Sequence, residues 1–462
     1  MRPAHVALLG AVALAFTACP ASLMEVCDNG ACVAPEGGAV PPGCDLSKEV
    51  AASPACVDEL VGYFVSPTGS DDAPGTKKRP FATLGKALSQ TGKPRIYVCE
   101  GTYVGTPLVT KAVAIVGGLK CDFTPGGGRP VIVGDSADFA MRITASGVSL
   151  VDLVVQAKDG VTPSQSSVAL AVVSSQSVEL RRVKLVAGKG QPGADGVAAP
   201  YAFPAPSTLD GKPGTGTSGG LATTNACPGG ASTGGKGGDN GLDGQPGQPT
   251  GAGGAAGTFA GCATNIGGGN GADGASFGPA PSPTTLGSLG VSWSATAGSR
   301  GTDGAPGQGG GGGGGRGGGG GGGGGAGGCG GAGGAGGGGG GGSIALLSLD
   351  SAIKLVASEL VAGAAGRGGN GVAGQTGQTD FGAGGAPAAG GCNGGAGGKA
   401  GSGGAGAGGA GGISVGVLHR GAAPSQDGTT IAPGSKGAKG TGGAPGTNDG
   451  IEGVAQSLFE VK

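Results

Sequence analysis

Side chains that usually carry chemistry are scarce in this sequence. Aromatic residues make up 3% of its 462 positions, with one tryptophan, Trp293, which excludes the stacked-ring platforms on which single-stranded nucleic acid lies. Only two histidines occur. His5 falls in a leader segment, and His419 alone cannot complete a nucleophile, base and carboxylate arrangement. It stands in a strand-like run and is expected to be structural or exposed. Charge of one sign is also missing, since 28 basic residues face 29 acidic ones for a net charge of −1. That leaves no electrostatic footprint for nucleic acid or for an anionic membrane surface. Past the leader, no apolar run approaches the roughly 20 residues of a spanning helix. Zinc ligation lacks its donors, because there is no C-x-x-C pair and almost no histidine. Phosphate-loop patterns carry no information where glycine is this abundant, and Lys93, Lys212 and Lys236 are not followed by serine or threonine. No cofactor and no metal is expected.

What is present starts with the form of an export signal: Arg2, an apolar stretch over residues 6–16, then small residues up to Ala18. Phe16-Thr17-Ala18-Cys19 resembles the lipobox of bacterial lipoproteins, with phenylalanine where leucine is usual. The resemblance implies removal of residues 1–18, a diacylglycerol on the Cys19 thiol and, because Pro20 rather than aspartate follows, an outer-membrane address. Acyl chains contribute about 0.8 kcal/mol per buried methylene, so a multiply acylated Cys19 would hold a membrane without a spanning helix. Ordinary cleavage beside a chance cysteine is the alternative. Of 11 cysteines, 11 − 1 = 10 remain after Cys19, an even number that suits disulfides in an oxidising compartment. Pairing neighbours along the chain gives Cys27 with Cys32, Cys44 with Cys56, Cys99 with Cys121, Cys227 with Cys262, and Cys329 with Cys392. Spacing does not fix this connectivity.

From Tyr63 the character changes to short β-branched runs punctuated by glycine. Tyr63-Phe64-Val65-Ser66-Pro67-Thr68-Gly69, Arg79-Pro80-Phe81-Ala82-Thr83-Leu84 and Ile96-Tyr97-Val98-Cys99-Glu100-Gly101-Thr102-Tyr103 resemble the entry segment of pectate-lyase-like right-handed parallel β-helix proteins. The likeness runs to about residue 190. It implies a first strand, a short amphipathic helix closing the mouth, and a strand ending in a Gly-Thr-Tyr corner. Phe81, Leu84 and Leu88 stand at i, i+3 and i+7, the stripe such a helix would bury.

A repeat within the chain points the same way without reference to any family. Ser167-Val168-Ala169-Leu170, followed by Val178-Glu179-Leu180 and Leu185-Val186-Ala187-Gly188, returns as Ser343-Ile344-Ala345-Leu346, followed by Ile353-Lys354-Leu355 and Leu360-Val361-Ala362-Gly363. The copies match with one residue of slippage. Val148-Ser149-Leu150-Val151 echoes Val178-Glu179-Leu180-Arg181 one coil earlier. Each run alternates apolar with polar, the period of a half-buried strand. A coil of this kind cannot bury its inner face alone, so several must stack. The segment from Phe81 to Leu88 is expected to cover one end of the stack and the last strand-like run the other. A β-sandwich is the alternative, but it does not call for near-copies of one coil so far apart in sequence.

Glycine occurs 119 times and demands its own explanation. Both copies of the repeat run straight into glycine triplets, at Gly190, Gly193 and Gly196 and at Gly366 and Gly369. A period of three is that of a polyproline-II-type helix, whose glycine edge lets backbones approach. Residues 309–342 are nearly pure glycine, and glycine loses the most freedom on ordering. Two readings therefore stay open, packed polyglycine helices or flexible, disordered tethers. By composition these stretches also resemble the glycine-rich repeats of mycobacterial surface proteins.

The expected architecture is all-β: a leader over 1–18, a cysteine-containing tether over 19–62, and a right-handed parallel β-helix over 63–188. A glycine-rich insertion over 189–342, a rung over 343–363 and a second insertion over 364–411 follow. Final rungs fill 412–462, with a glycine-rich loop at 421–450. The expected role is non-catalytic, structural or adhesive, at the cell envelope, exported and held to the outer membrane through Cys19. The alternative is a polysaccharide-binding or lyase-like β-helix. Asp152, Glu179, Arg181, Arg182 and Lys184 could line one outer face for a glycan, although outward charges on strands are usually just solvated. Calcium-binding nonapeptides are approached at Gly234 to Asp239 and Gly268 to Asp273, but Gly241 and Ala275 stand where a large aliphatic residue is needed. Trp293 alternates with serines and is expected to be buried.

Overall fold

The structure, a computed structural model, describes residues 40–290 and 292–461 and the backbone of an antiparallel pair, Val26–Asp28 with Ala31–Val33. Cys19 and the side chains of Cys27 and Cys32 lie outside the described residues.

Runs that alternate apolar and polar residues form strands too short to stand alone, and each pairs in parallel with the equivalent run of the next coil. The first of the three parallel sheets they form holds Gly62–Val65, Arg95–Cys99, Val113–Leu119, Val148–Val151, Val178–Arg181, Ile353–Val356 and Ser425–Asp427. The second holds Thr102–Val104, Val131–Val133, Val154–Gln156, Lys184–Val186, Glu359–Val361 and Thr430–Ala432. The third holds Leu108–Val109, Met141–Ile143, Ser167–Val173, Ser343–Leu349, Ser414–Arg420 and Ala455–Glu460. Visiting them in rotation, the chain makes coils 1 to 3 from residues 95–109, 113–143 and 148–173. Coils 4, 5 and 6 begin at 178, 353 and 425 and take their third strands from 343–349, 414–420 and 455–460. This nearly all-β arrangement fits a parallel β-helix.

The register confirms the internal repeat. Ser167 pairs with Ser343 and Val173 with Leu349, while Val178 pairs with Ile353. The slipped residue sits in the corner between them, spanned by 174–177 in one coil and 350–352 in the next. Leu150, Leu180 and Leu355 stack inside, as do Val155, Leu185 and Leu360, all fully buried. Helix α1, Leu84–Ser89, covers the centre of the mouth with Leu84 and Ala87 buried and Leu88 packed on the core. Thr83 caps it, its hydroxyl accepting from the Lys86 N–H at 3.1 Å.

Two boundaries differ from the sequence expectation. Residues 40–61 are part of the body: Val50 and Val57 pack with Phe64, Tyr97 and Val116 on the outside of the first sheet, and Cys44–Cys56 staples the segment. Its apolar residues are too sparse to show a period. The glycine-rich loop drawn over 421–450 contains the strands Ser425–Asp427 and Thr430–Ala432. Ser425, Gln426 and Asp427 carry no apolar pattern; pairing with Lys354, Leu355 and Val356 makes them a strand.

All three glycine-rich excursions leave between the second and third strands of a coil, at Gly188, Gly363 and Gly434, and so emerge from one corner of the stack. Within them, backbone hydrogen bonds recur every third residue. Gly298, Gly301, Gly304, Gly307, Gly310 and Gly313 donate to Gly337, Gly334, Gly331, Gly328, Gly325 and Gly322, an antiparallel pairing. Gly190, Gly193 and Gly196 donate to Ala364, Arg367 and Asn370, a parallel one. In the interior, successive donors turn to different neighbours: Gly310 to Gly325, Gly311 to Gly269, Gly312 to Gln245 and Gly313 to Gly322. A segment surrounded in this way has no side free for a Cβ, so every position must be glycine. Nearer the rim, as at 366–371, two residues in three press against neighbouring backbone, Gly366, Gly368, Gly369 and Gly371, which leaves Arg367 and Asn370 free to carry side chains.

Serines clamp the necks of the excursions. Ser343 Oγ donates to Gly188 O (2.6 Å) and accepts from Gly363 N–H (2.7 Å). Ser414 does the same between Gly363 O (2.8 Å) and Gly434 N–H (2.8 Å), and Ser167 between Lys158 O (2.7 Å) and Gly188 N–H (2.9 Å). All three serines are fully buried. Ser343→Ala leaves a part-buried carbonyl and a part-buried N–H without their partner at once, and is expected to lower stability by about 1–2 kcal/mol. Thermal unfolding of the variant checks this.

Among the described residues four disulfides are formed, which points to an oxidising, extracytoplasmic location. Cys44–Cys56 and Cys99–Cys121 join as neighbour pairing gives. The other two cross over: Cys227 joins Cys329 and Cys262 joins Cys392, in place of Cys227 with Cys262 and Cys329 with Cys392. The reason is the folding back of the excursions, which sets each cysteine beside a limb distant in sequence. Among the described residues, no helix is long and apolar enough to cross a membrane.

Candidate charged face and bundle tip

The corner between the first and second sheets turns through left-handed residues, with φ of 54° at Asp152 and 52° at Arg182. One coil apart, their side chains meet in a fork, Arg182 Nε to Asp152 Oδ1 at 2.7 Å and Nη2 to Oδ2 at 2.8 Å. Glu49, from the segment over the first sheet, accepts from Arg182 Nη1 at 3.0 Å and lies 3.5 Å from Arg181, which also bonds Glu179. The structure thus brings together Asp152, Glu179, Arg181 and Arg182. Lys184 stands apart on the second sheet, 3.0 Å from Glu359, its partner across the ladder.

Every basic group of this face has a carboxylate, and Arg182 is held more firmly protonated than usual by its bonds to Asp152 and then Glu49. A base that abstracts a proton from a sugar must give up its own first. These pairs are half-exposed and contribute little to stability. Glu49 and Glu359 were not foreseen, because nothing in their local sequence tells which strand they will lie against.

Trp293 is buried, in a hairpin of Gly287–Leu289 with Trp293–Ala295, and packs against Val168, Ile344 and Phe459 outside the third sheet. Its ring is not offered to a sugar. His419 is buried, with Nδ1 3.1 Å from Gly421 O. In the calcium-like stretches, Asp239 accepts from Gly219 N–H and Asp273 from Lys399 N–H, each at 2.8 Å. Among the described residues, no group of three or more His, Cys, Asp or Glu side chains is placed to hold a metal ion.

Exposed side chains gather instead at the far end of the glycine-rich bundle, where its segments reverse at 215–218, 239–242, 258–266, 315–319 and 387–391. Asn240 N–H bonds Thr217 O and its Oδ1 takes the Gly318 N–H, while Cys262–Cys392 ties two more of these turns. Leu242, Phe259 and Ile266 are exposed here by 59%, 41% and 63%. The Arg316 guanidinium lies 5.4 Å from the Phe259 ring centre. Composition hid this cluster, since it is assembled from turns separated by long glycine tracts.

No protein-family model matches the chain, and no curated protein does. Among solved structures it is similar to a rhamnogalacturonan lyase, with a TM-score of 0.23 and 21% identity over 28% of this chain and 36% of that one. The match spans about a third of that lyase, and a likeness so partial carries no argument about activity.

Proposed function

We propose that this is a non-catalytic surface protein of the cell envelope, lipid-anchored through Cys19 at the outer membrane, with a structural or adhesive role. In this reading the right-handed β-helix is the base, and the excursions form a rigid bundle of polyglycine-II helices. At about 3.1 Å per residue, a segment such as 319–342 carries the tip roughly 70 Å outward. The supporting observation is the lattice of backbone bonds repeating every third residue, from Gly298 with Gly337 to Gly313 with Gly322. A shaft made of glycine has no side chains with which to recognise anything, so adhesion falls to the tip, with Leu242, Phe259, Ile266 and Arg316. Aromatic and arginine side chains are the groups that dominate interface energies. Glycan cleavage is disfavoured by the pairing of Arg181, Arg182 and Lys184.

The test joins location to contact. Protease treatment of intact cells is expected to remove the protein, and Cys19→Ala to release it from the membrane fraction. Phe259→Ala with Ile266→Ser is expected to cut cell or surface adherence by tenfold or more at unchanged surface level. A protein untouched on intact cells ends the exterior reading; unchanged adherence in the double variant ends the assignment to the tip.

A further inference from the structure

The cover over the mouth of the coil stack is incomplete. On the first sheet, residues 75–81 seal the edge strand Gly62–Val65: Phe64 N–H donates to Gly75 O (3.0 Å), Phe81 N–H to Phe64 O (2.9 Å) and Ser66 N–H to Phe81 O (2.9 Å). Helix α1 fills the centre and lies against Leu108–Val109 of the third sheet. Among the described residues, nothing seals the second sheet. It ends at Thr102–Val104, one strand short of the first, because the chain turns away after Val65 instead of continuing round the coil. In place of the absent strand is a cavity of about 350 Å³.

In a parallel ladder, alternate residues address each neighbour. Here Val131 N–H donates to Gly101 O (2.8 Å) and Gly105 N–H to Val133 O (2.9 Å), so residues 101, 103 and 105 face the strand behind. The N–H and C=O of Thr102 and Val104 face the cavity, and among the described residues no strand lies beyond them. Tyr103, Ile132 and Leu84 line it, and no charged residue does. Val104, in its lining, is exposed by 68%. Open edges of this kind are normally blunted by charge or covered.

We infer that this groove is a docking site for an extended, uncharged peptide segment of a partner protein, which adds a short parallel strand to the second sheet. Main-chain donors and acceptors of Thr102 and Val104 would supply the affinity, and the floor of Tyr103, Ile132 and Leu84 would take one apolar side chain. An uncharged lining selects against acidic and basic segments. A second copy of this chain fits less well: the cavity, about 350 Å³, is bounded by Pro67, Ala82, Thr83 and Gly85 as well as by the edge strand, room for one segment rather than a whole sheet. The inference is independent of the adhesive reading, which concerns the opposite extremity of the glycine-rich bundle.

The probe is a blocked five-residue peptide of alternating valine and threonine, titrated into the full mature chain by calorimetry, with an N-methylated version as control. Binding is expected for the first and not for the second. Val104→Pro removes an outward N–H that the ladder does not use, and is expected to weaken binding at least tenfold. Gly85→Leu leaves the edge intact and fills open space, since a Cβ there meets only Thr83 Oγ1 at 4.0 Å, with the same expected loss. Thermal unfolding like that of the parent shows that both variants are folded. Equal affinity in parent and both variants, or no binding at millimolar peptide, overturns the inference. A dimer of the parent that Val104→Pro dissolves also overturns it, in favour of a second copy.

Discussion

Replacing Gly324 with alanine is expected to destabilise the glycine-rich bundle by about 3 kcal/mol or more, well above an ordinary surface change. Gly324 is buried, donates to Gly235 O at 2.8 Å, and packs beside Gly310, whose carbonyl already accepts from Gly235 N–H. A Cβ on Gly324 would overlap the Gly310 carbonyl oxygen and stand 3.0 Å from Gly235 N. These are backbone atoms in two neighbouring segments, so no rotamer can move aside. The lattice must open, and each opened segment exposes the donors on its other sides. Gly278→Ala is the matched control, since nothing lies within 4 Å of its added methyl. Limited proteolysis should cut the Gly324→Ala protein within 189–342 at temperatures where the parent and Gly278→Ala are intact. Equal resistance of all three would mean that the segments are not packed.

Reduction should take the bundle apart before the coil stack. Cys227–Cys329 and Cys262–Cys392 close separations of 102 and 130 residues, against 12 and 22 for Cys44–Cys56 and Cys99–Cys121. In the chain-entropy model a loop near 100 residues is worth about 4.7 kcal/mol and a 15-residue loop about 3 kcal/mol. The two long loops overlap, so their joint effect is smaller than the sum. The long cross-links act on the part of the chain with the most freedom to regain, whereas the coils keep an aliphatic core of Leu150, Leu180, Leu355 and their neighbours. Replacing Cys227, Cys329, Cys262 and Cys392 by alanine is expected to lower the temperature at which 189–342 and 364–411 become protease-sensitive, with the strands of coils 1 to 3 melting as before. The same protease pattern with and without reductant would contradict this.

The neck serines show how much a sequence can disclose when its pattern is periodic. Ser167 and Ser343 open the two copies of the repeat, and their recurrence at the same register was visible; that each clamps an excursion was not, because the N–H each accepts, Gly188 for Ser167 and Gly363 for Ser343, comes from the next coil. The charged face was half legible. Alternation put Glu179 and Arg181 on the outer side of one strand, yet Glu49, which bonds Arg182, comes from a stretch with no period at all.

By itself, the sequence determined the coils, because a strand buried on one face writes its period of two into the chain, and a stack of coils writes near-copies. It also determined that the excursions want a period of three. Only the tertiary structure decided the crossed disulfides, the gathering of Leu242, Phe259 and Ile266 at one extremity, and why residues 309–342 are almost all glycine. Those depend on how many neighbours surround a segment, and a chain's own residues do not record the number of its neighbours.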